Sequence, residues 1–326
     1  MNTPDFVQLA DQCIQGESLT DTHYQAIFNT PAQDLFGLLA GADHIRRHFF
    51  GNQVHLCAIT NAKSGRCSED CTFCAQSKFV DTDIDVYPLR TKETLEEEIQ
   101  EMTPTPVQRF SMVTSGRGLS TGEVATVAKA AKTADPDQLS ICASLGILSL
   151  EDFKALKAAG VNRYHHNLEA SRSLFPKICT THSFDERIDT IKNAQKAGMT
   201  ICSGGIFGIG ETPEQVVELA LELKDLDVDA VPINFLTAIP GTPMEGRAPL
   251  SPTDCLRIIA LMRYTLPDKD ILVCGGRTLN LGPLAPMVFN AGANGIMTGN
   301  YLTTEGNQLE SDLKLLETLG LEPRPV

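Results

Sequence analysis

The alternation of two kinds of segment constrains this chain's fold more than any other feature. Short apolar runs lie near Val54–Thr60, Arg109–Thr114, Leu139–Ala143, Val161–His166, Thr200–Ile206, Ala230–Leu236, Ile271–Cys274 and Gly295–Met297. Between them lie longer amphipathic segments that open on helix-capping residues. Ser120-Thr-Gly-Glu123 and Ser183-Phe-Asp-Glu186 are capping boxes, and Thr212-Pro213 and Ser251-Pro252 put a cap before a proline at the first helical position. Gly160 and Gly198 supply stop signals. Strands separated by helices are parallel strands with helical crossovers. About eight such units close into an α/β fold of the (β/α)8 TIM-barrel type. An open doubly wound sheet is the competing architecture, weakened because no G-x-G-x-x-G follows the first strand. Residues 1–51 read as an amphipathic helical extension ending in a basic patch at Arg46, Arg47 and His48, and residues 52–326 as the barrel.

Directly after the first apolar run comes Cys67-Ser-Glu-Asp-Cys71-Thr-Phe-Cys74. In a barrel this is the first βα loop, on the face where active sites are built. Three thiolates at C-x3-C-x2-C spacing reach three corners of one iron–sulfur cube. No fourth cysteine is near in sequence, so one iron is left for a substrate or cofactor. A zinc knuckle would favour two cysteine pairs and four closed ligands, a pattern absent here, and three unrelated thiols are the bland alternative. Gly65 allows a sharp turn into the loop. Phe73 would either shield the cluster from water or pack on a bound adenine.

The ten cysteines, three of them clustered, suit metal ligands in a reducing cytoplasm better than disulfides. A net charge of -14 argues against nucleic acid and against docking on anionic lipid. The start at Met1 shows no signal-peptide pattern, and no apolar run is long enough to span a membrane.

The cysteine run, with an aromatic before its last cysteine, resembles the radical S-adenosylmethionine superfamily. That resemblance implies that the open iron binds the amino and carboxylate groups of S-adenosylmethionine. One electron from the 4Fe-4S cluster then cleaves it to methionine and a 5′-deoxyadenosyl radical. Further stretches narrow the likeness to biotin synthases: Asn61 through Ser77, Tyr164-His-His-Asn-Leu-Glu169, Ile201 through Glu211, Val231-Pro-Ile-Asn234 with Pro240-Gly-Thr-Pro243, and Gly295 through Thr304. The likeness runs from about residue 40 to the C-terminus and implies sulfur insertion converting dethiobiotin to biotin. It further implies a low-potential electron donor of flavodoxin or ferredoxin type, and a homodimer. Residue by residue, Asn167 and Glu169 match positions that contact the cofactor ribose, where Asp is common in place of Glu169. Phe73, Gly205 and Ile206 match positions along the adenosine. His165, Asn167 and Asn234 match positions near the ureido ring of dethiobiotin, which a neutral amide can both donate to and accept from.

The family carries a second, auxiliary iron–sulfur cluster deep in the barrel, held in its best-known form by three cysteines and an arginine. Cys142 and Cys202 match two of those cysteines, Ser111 stands at the third, and Leu272 at the arginine. Side chains alternate along a strand, so Cys274 shares the face of Leu272. The expected auxiliary set is therefore Cys142, Cys202 and Cys274, completed by Ser111 or a non-protein ligand, with a nuclearity different from the familiar 2Fe–2S. The alternative is three buried apolar thiols. Cys13, Cys57, Cys179 and Cys255 show no partner pattern and read as packing or incidental thiols. His44, His48 and His55 read as packing or solvated residues. Two other readings stay open: a different barrel radical enzyme, such as one like a hydrogenase maturase, and a non-enzymatic iron–sulfur protein. Lipoyl synthase is set aside because its additional N-terminal cysteine motif is absent.

Overall fold

The computed structural model describes residues 4–304 and 306–326, so the first three residues of the expected extension lie outside it. Among the described residues, ten strands form one sheet: β1 (Gln53–Lys63), β2 (Arg109–Thr114), β3 (Ser140–Ser144), β4 (Val161–His165), β5 (Thr200–Cys202), β6 (Gly205–Phe207), β7 (Ala230–Phe235), β8 (Asp270–Val273), β9 (Gly295–Met297) and β10 (Glu322–Pro323). Neighbours pair in parallel in chain order, and β1 pairs with β9, which closes the barrel. With β5 and β6 as two halves of one strand, β1 to β9 fill the eight positions of a (β/α)8 barrel. The caps read from sequence form as expected. Ser120 and Glu123 exchange bonds, as do Ser183 and Glu186, and Ser251 caps the helix Pro252–Thr265.

The fifth strand, expected as one run over Thr200–Ile206, is broken at Ser203-Gly204. Its neighbour Pro232 has no N–H to offer the ladder. A Cβ on Gly204 would lie 2.0 Å from the Pro232 carbonyl, so only glycine fits there. The freed backbone pairs elsewhere: Gly204 N–H donates to Asn167 Oδ1 at 3.1 Å, and Ile206 N–H to the Glu169 carbonyl at 2.8 Å.

The N-terminal helices Phe6–Ile14, Asp21–Phe28 and Leu35–Phe50 pack on the helix Pro252–Thr265, whose residues from Cys255 onward are nearly all buried. Tyr264 donates to the carbonyl of Phe6 at 3.0 Å, and Gly41 makes room for its hydroxyl. The apolar core runs without a break from these helices into the barrel. The expected basic patch does not form as such. Arg46 is buried, with Nη2 2.8 Å from Asp43 and Nη1 donating to the Gly51 carbonyl at 2.9 Å. Arg47 also binds Asp43, so one carboxylate a turn earlier neutralises much of the patch.

At the opposite end of the chain, β10 pairs with the start of β1 beneath the barrel. Arg324 reaches in to Asp270 at 2.8 Å, and His55 Nδ1 lies 3.2 Å from the same oxygen. Asp270, His55 and Arg163 are all buried, and they close the barrel at its N-terminal end. Among the described residues no helix is long and apolar enough to cross a membrane.

Candidate functional site

One cavity of ≈ 390 Å³ runs down the barrel axis, and its lining includes every residue carried over from the sequence except Gly205. Its rim is the loop after β1. Gly65 (φ 75°) turns the chain, and the Gln76 side chain accepts from Gly65 N–H at 3.1 Å and from the Ser64 hydroxyl at 3.2 Å. Cys67 N–H donates to the Gln76 carbonyl at 2.9 Å, and Lys78 N–H to the Cys67 carbonyl at 2.8 Å, so the loop closes on itself. Cys67, Cys71 and Cys74 all line the cavity, with Phe73 beside them. Burial raises the Cys67 thiol and pushes Cys74 up to about 11. Cys71 is pushed far up, first because its thiol donates to Cys179 and then by burial.

Cys179 is a residue that sequence reasoning missed. It sits behind Cys71, outside the cavity lining, and hydrogen bonds from Cys71, then His182 and Thr181, outweigh its burial and bring it down to about 4. His182 Nδ1 lies 3.3 Å from Cys179 and 2.5 Å from Glu69. Glu69, Cys179 and His182 thus form a buried cluster of ligand-type groups. The Cys-x2-His spacing was the available signal. Next to it, Asp70 accepts from the backbone N–H groups of Thr180 and Thr181 at 2.8 and 3.2 Å, and from both hydroxyls. Two carboxylates therefore staple the cysteine loop to the segment after β4.

The wall comes from β4, β6 and β7. Glu169 has φ 68°, a left-handed conformation held by its backbone bridge to Gly205. Burial raises the Glu169 carboxyl; the Arg187 guanidinium, 3.9 Å away, opposes this. Asn167 Nδ2 donates to Glu169 at 3.3 Å, and its carbonyl accepts from Arg187 at 2.7 Å. Asn234 Oδ1 accepts from Gly275 N–H at 3.0 Å, and its Nδ2 donates to the Gly205 carbonyl at 3.3 Å. Each amide keeps spare donor and acceptor capacity. His165 Nδ1 lies 3.4 Å from Cys202, and burial lowers its imidazole to about 4. Gly205 is buried, and a Cβ there would lie 2.7 Å from Leu219 and 2.8 Å from the Glu169 carbonyl. The segment Tyr301–Thr304 lines the mouth, anchored by Tyr301 donating to the Cys274 carbonyl at 2.9 Å and by Asn61 donating to the Leu302 carbonyl at 3.1 Å.

The floor holds Cys142, Cys202, Cys274 and Ser111, all lining the cavity. It also holds Cys57, read from sequence as a packing or incidental thiol. Cys57 and Cys202 pack with Ala230, Leu272, Cys274 and Met297 in a small cluster separate from the main core. Burial raises Cys57 well above its ordinary value and pushes Cys202 up to about 12. Two guanidiniums, also missed, stand among the thiols: Arg109 Nη1 is 4.0 Å from Cys142 Sγ, and Arg163 is buried beside Asp270 at 3.7 Å. Ser111 Oγ, Arg109 Nε and Arg163 Nη1 are buried with no hydrogen-bond partner in the protein. Buried donors without partners are costly, and here they surround thiols that must shed protons to bind metal. Positive charge, soft sulfur donors and unused N–H groups are what an anionic thiolate-held cluster requires. At the rim, three thiols and not four face the cavity, which fits a cluster with one open iron.

Comparison with known proteins gives concordant results. Residues 62–223 match the model of the radical SAM superfamily, and residues 232–322 match the biotin and thiamin synthesis associated domain. The biotin synthase of Desulfatibacillum aliphaticivorans is 51% identical over 291 residues, covering 89% of each chain. That of Syntrophotalea carbinolica is 46% identical over 319 residues, covering 97% of this chain and 98% of the relative. Among solved structures, a methylornithine synthase superposes with TM-score 0.84 at 23% identity, covering 97% of both chains. The FeFe-hydrogenase maturase of Carboxydothermus hydrogenoformans gives 0.81 at 16%, covering 98% of this chain and 79% of its own. At such identities these two structures speak for the barrel alone.

Proposed function

The chain belongs to the biotin synthase family, and from that premise we propose how its residues divide the work of a radical S-adenosylmethionine sulfurtransferase converting dethiobiotin to biotin. The observation that carries this reading is the presence of two separate sets of thiols, at the rim and on the floor of one cavity. Cys67, Cys71 and Cys74 hold the 4Fe-4S cluster, and Cys142, Cys202 and Cys274, completed by Ser111 or a non-protein ligand, hold the auxiliary one. When bound, the first supplies the electron that cleaves S-adenosylmethionine into methionine and a 5′-deoxyadenosyl radical, and the second supplies the sulfur.

The protein's own groups bind, orient and shield. Glu169, which faces the Arg187 guanidinium, and Asn167 accept from and donate to the ribose hydroxyls. Phe73 and Ile206 flank the adenine, and Gly205 lets this stretch of wall pack closely on Leu219 and the Glu169 carbonyl. His165, Asn167 and Asn234 face the ureido ring of dethiobiotin, which stacks the substrate between rim and floor. Dethiobiotin held by these groups would lie between the two sets of thiols, where positioning would supply a large part of the rate. Tyr301–Thr304 and Phe73 exclude water, which protects a radical from side reactions. A low-potential flavodoxin or ferredoxin delivers the electron, and the enzyme works as a homodimer.

The test is one anaerobic experiment on reconstituted protein. Iron and sulfide are counted alongside Mössbauer spectra, and the reduced protein is given S-adenosylmethionine and dethiobiotin with mass-spectrometric detection of biotin. Biotin formation with two distinct clusters is expected. Cofactor cleavage without biotin would move the substrate assignment elsewhere in the superfamily.

A further inference from the structure

Barrel closure arranges inward side chains in tiers, each built by four residues from alternate strands. The register identifies one such tier on the floor. Cys57 pairs with Arg109 on β2, and Arg109 with Ser140 on β3. In an eight-strand barrel of shear eight, a level moves two residues along the chain for every two strands crossed. Two residues beyond Ser140 is Cys142. Cys142 pairs through Arg163 to Thr200, and two residues beyond is Cys202. Cys202 pairs through Ala230 to Asp270, and two beyond is Leu272. Leu272 pairs through Gly295 to His55, and two beyond is Cys57 again. The circuit returns to its origin after four steps of two residues, the stagger of eight that closure demands.

The tier is therefore Cys57, Cys142, Cys202 and Leu272, from the odd-numbered barrel positions. Ser111 lies on β2, an even position, and belongs to another tier. Cys274 lies two residues beyond Leu272, on the same face and one level nearer the rim. Cys57 lines the cavity and packs with Cys202 and Cys274 outside the main core, which is not where a purely structural thiol on β1 would sit.

We propose that Cys57 is a thiolate ligand of the floor iron–sulfur site, forming a same-tier triad with Cys142 and Cys202 that Cys274 caps from above. This rests on the reading of the floor as a cluster site. It moves the ligand on this side of the barrel from the serine of β2 to the cysteine of β1. Leu272 leaves one quadrant of the tier without a donor.

The test isolates the floor by changing Cys67, Cys71 and Cys74 to Ala in the full chain, then reconstituting anaerobically with iron and sulfide. In that background, Cys57→Ser is expected to lose most of the bound iron and to change the Mössbauer spectrum of what remains. Cys255→Ser, at a buried cysteine outside the cavity lining, is expected to keep both. Unchanged iron and spectrum in Cys57→Ser would overturn the assignment. If that variant fails to fold, an anaerobic crystal structure of the reconstituted unmutated protein decides. Cys57 Sγ within bonding distance of iron supports the assignment, and Sγ turned away from iron overturns it. Should the background protein itself bind no iron, the reading of the floor as a cluster site falls, and this assignment with it.

Discussion

Rim and floor both gather thiols, but they do so by opposite means. The rim set comes from eight consecutive residues on one loop, shaped by short-range bonds such as Cys67 N–H to Gln76. The floor set comes from β1, β3, β5 and the end of β8, residues 57 to 274, and exists only once the barrel has closed. A local site can be remade around its metal, because its geometry is carried by one flexible segment. A site assembled from strands has its geometry imposed by the sheet, and each ligand doubles as a core residue. Loss of a rim ligand should therefore cost chemistry alone, whereas loss of a floor ligand should alter both metal content and packing.

The sharpest way to break this comparison is Cys71→Ser. It is expected to abolish cofactor cleavage and biotin formation while the floor keeps its iron, as iron counts and product analysis would show. Equal loss of floor iron would mean that the two sites assemble as one. Next in size is Cys274→Ser, expected to lose auxiliary iron and biotin yield but to retain S-adenosylmethionine cleavage. Normal iron and yield would remove Cys274 from the ligand set.

A smaller effect is expected from Glu169→Gln, which removes a charged acceptor worth about 1.5–3 kcal/mol. That predicts a roughly tenfold or greater rise in the S-adenosylmethionine Kd, measured by calorimetry, with both clusters intact. Smaller again is the staple at Asp70. Burial pushes this carboxyl up, but bonds from the Thr180 hydroxyl and backbone and from Thr181 hold it well below the usual carboxylate range. A depressed folded-state pKa stabilises above the unfolded value and is lost as pH falls below about 4. Because the group is only half-buried, screening keeps the contribution to about 1 kcal/mol or less. Asp70→Asn should accordingly lower the melting temperature slightly at pH 7 and not at all in acid. An effect of similar size lies outside both sites: Ser120→Ala removes a helix cap worth about 1 kcal/mol, with both clusters unaffected.

Much of the barrel was legible because its signals are local. Apolar runs, capping boxes and glycine stops are each written within a few residues, and they fold as read. The break at Gly204 was not, because it depends on Pro232 across the ladder. Nor was the burial of Arg46, which follows from Asp43 and from helices packed on it. The same distinction explains the site. The rim cysteines announce themselves by spacing, and the wall residues lie in recognisable stretches. Cys57 sits in His55-Leu-Cys57-Ala with nothing to mark it, since only strand parity and register bring it level with Cys142 and Cys202. The guanidiniums of Arg109 and Arg163 were hidden for the same reason, since their partners lie far away in sequence, whereas Cys179 carries a local signal in its spacing to His182.

The cork at the barrel's lower end has a consequence for traffic. Arg324, Asp270, His55 and the pairing of β10 shut that end, so the cavity behaves as a flask with its neck at the cysteine loop. Whatever fills the bottom must enter before whatever fills the neck, and must wait for the neck to clear before it can be renewed. On the proposed division of the cavity, iron and sulfide for the floor would have to enter before dethiobiotin, and a renewed floor would need the neck cleared first.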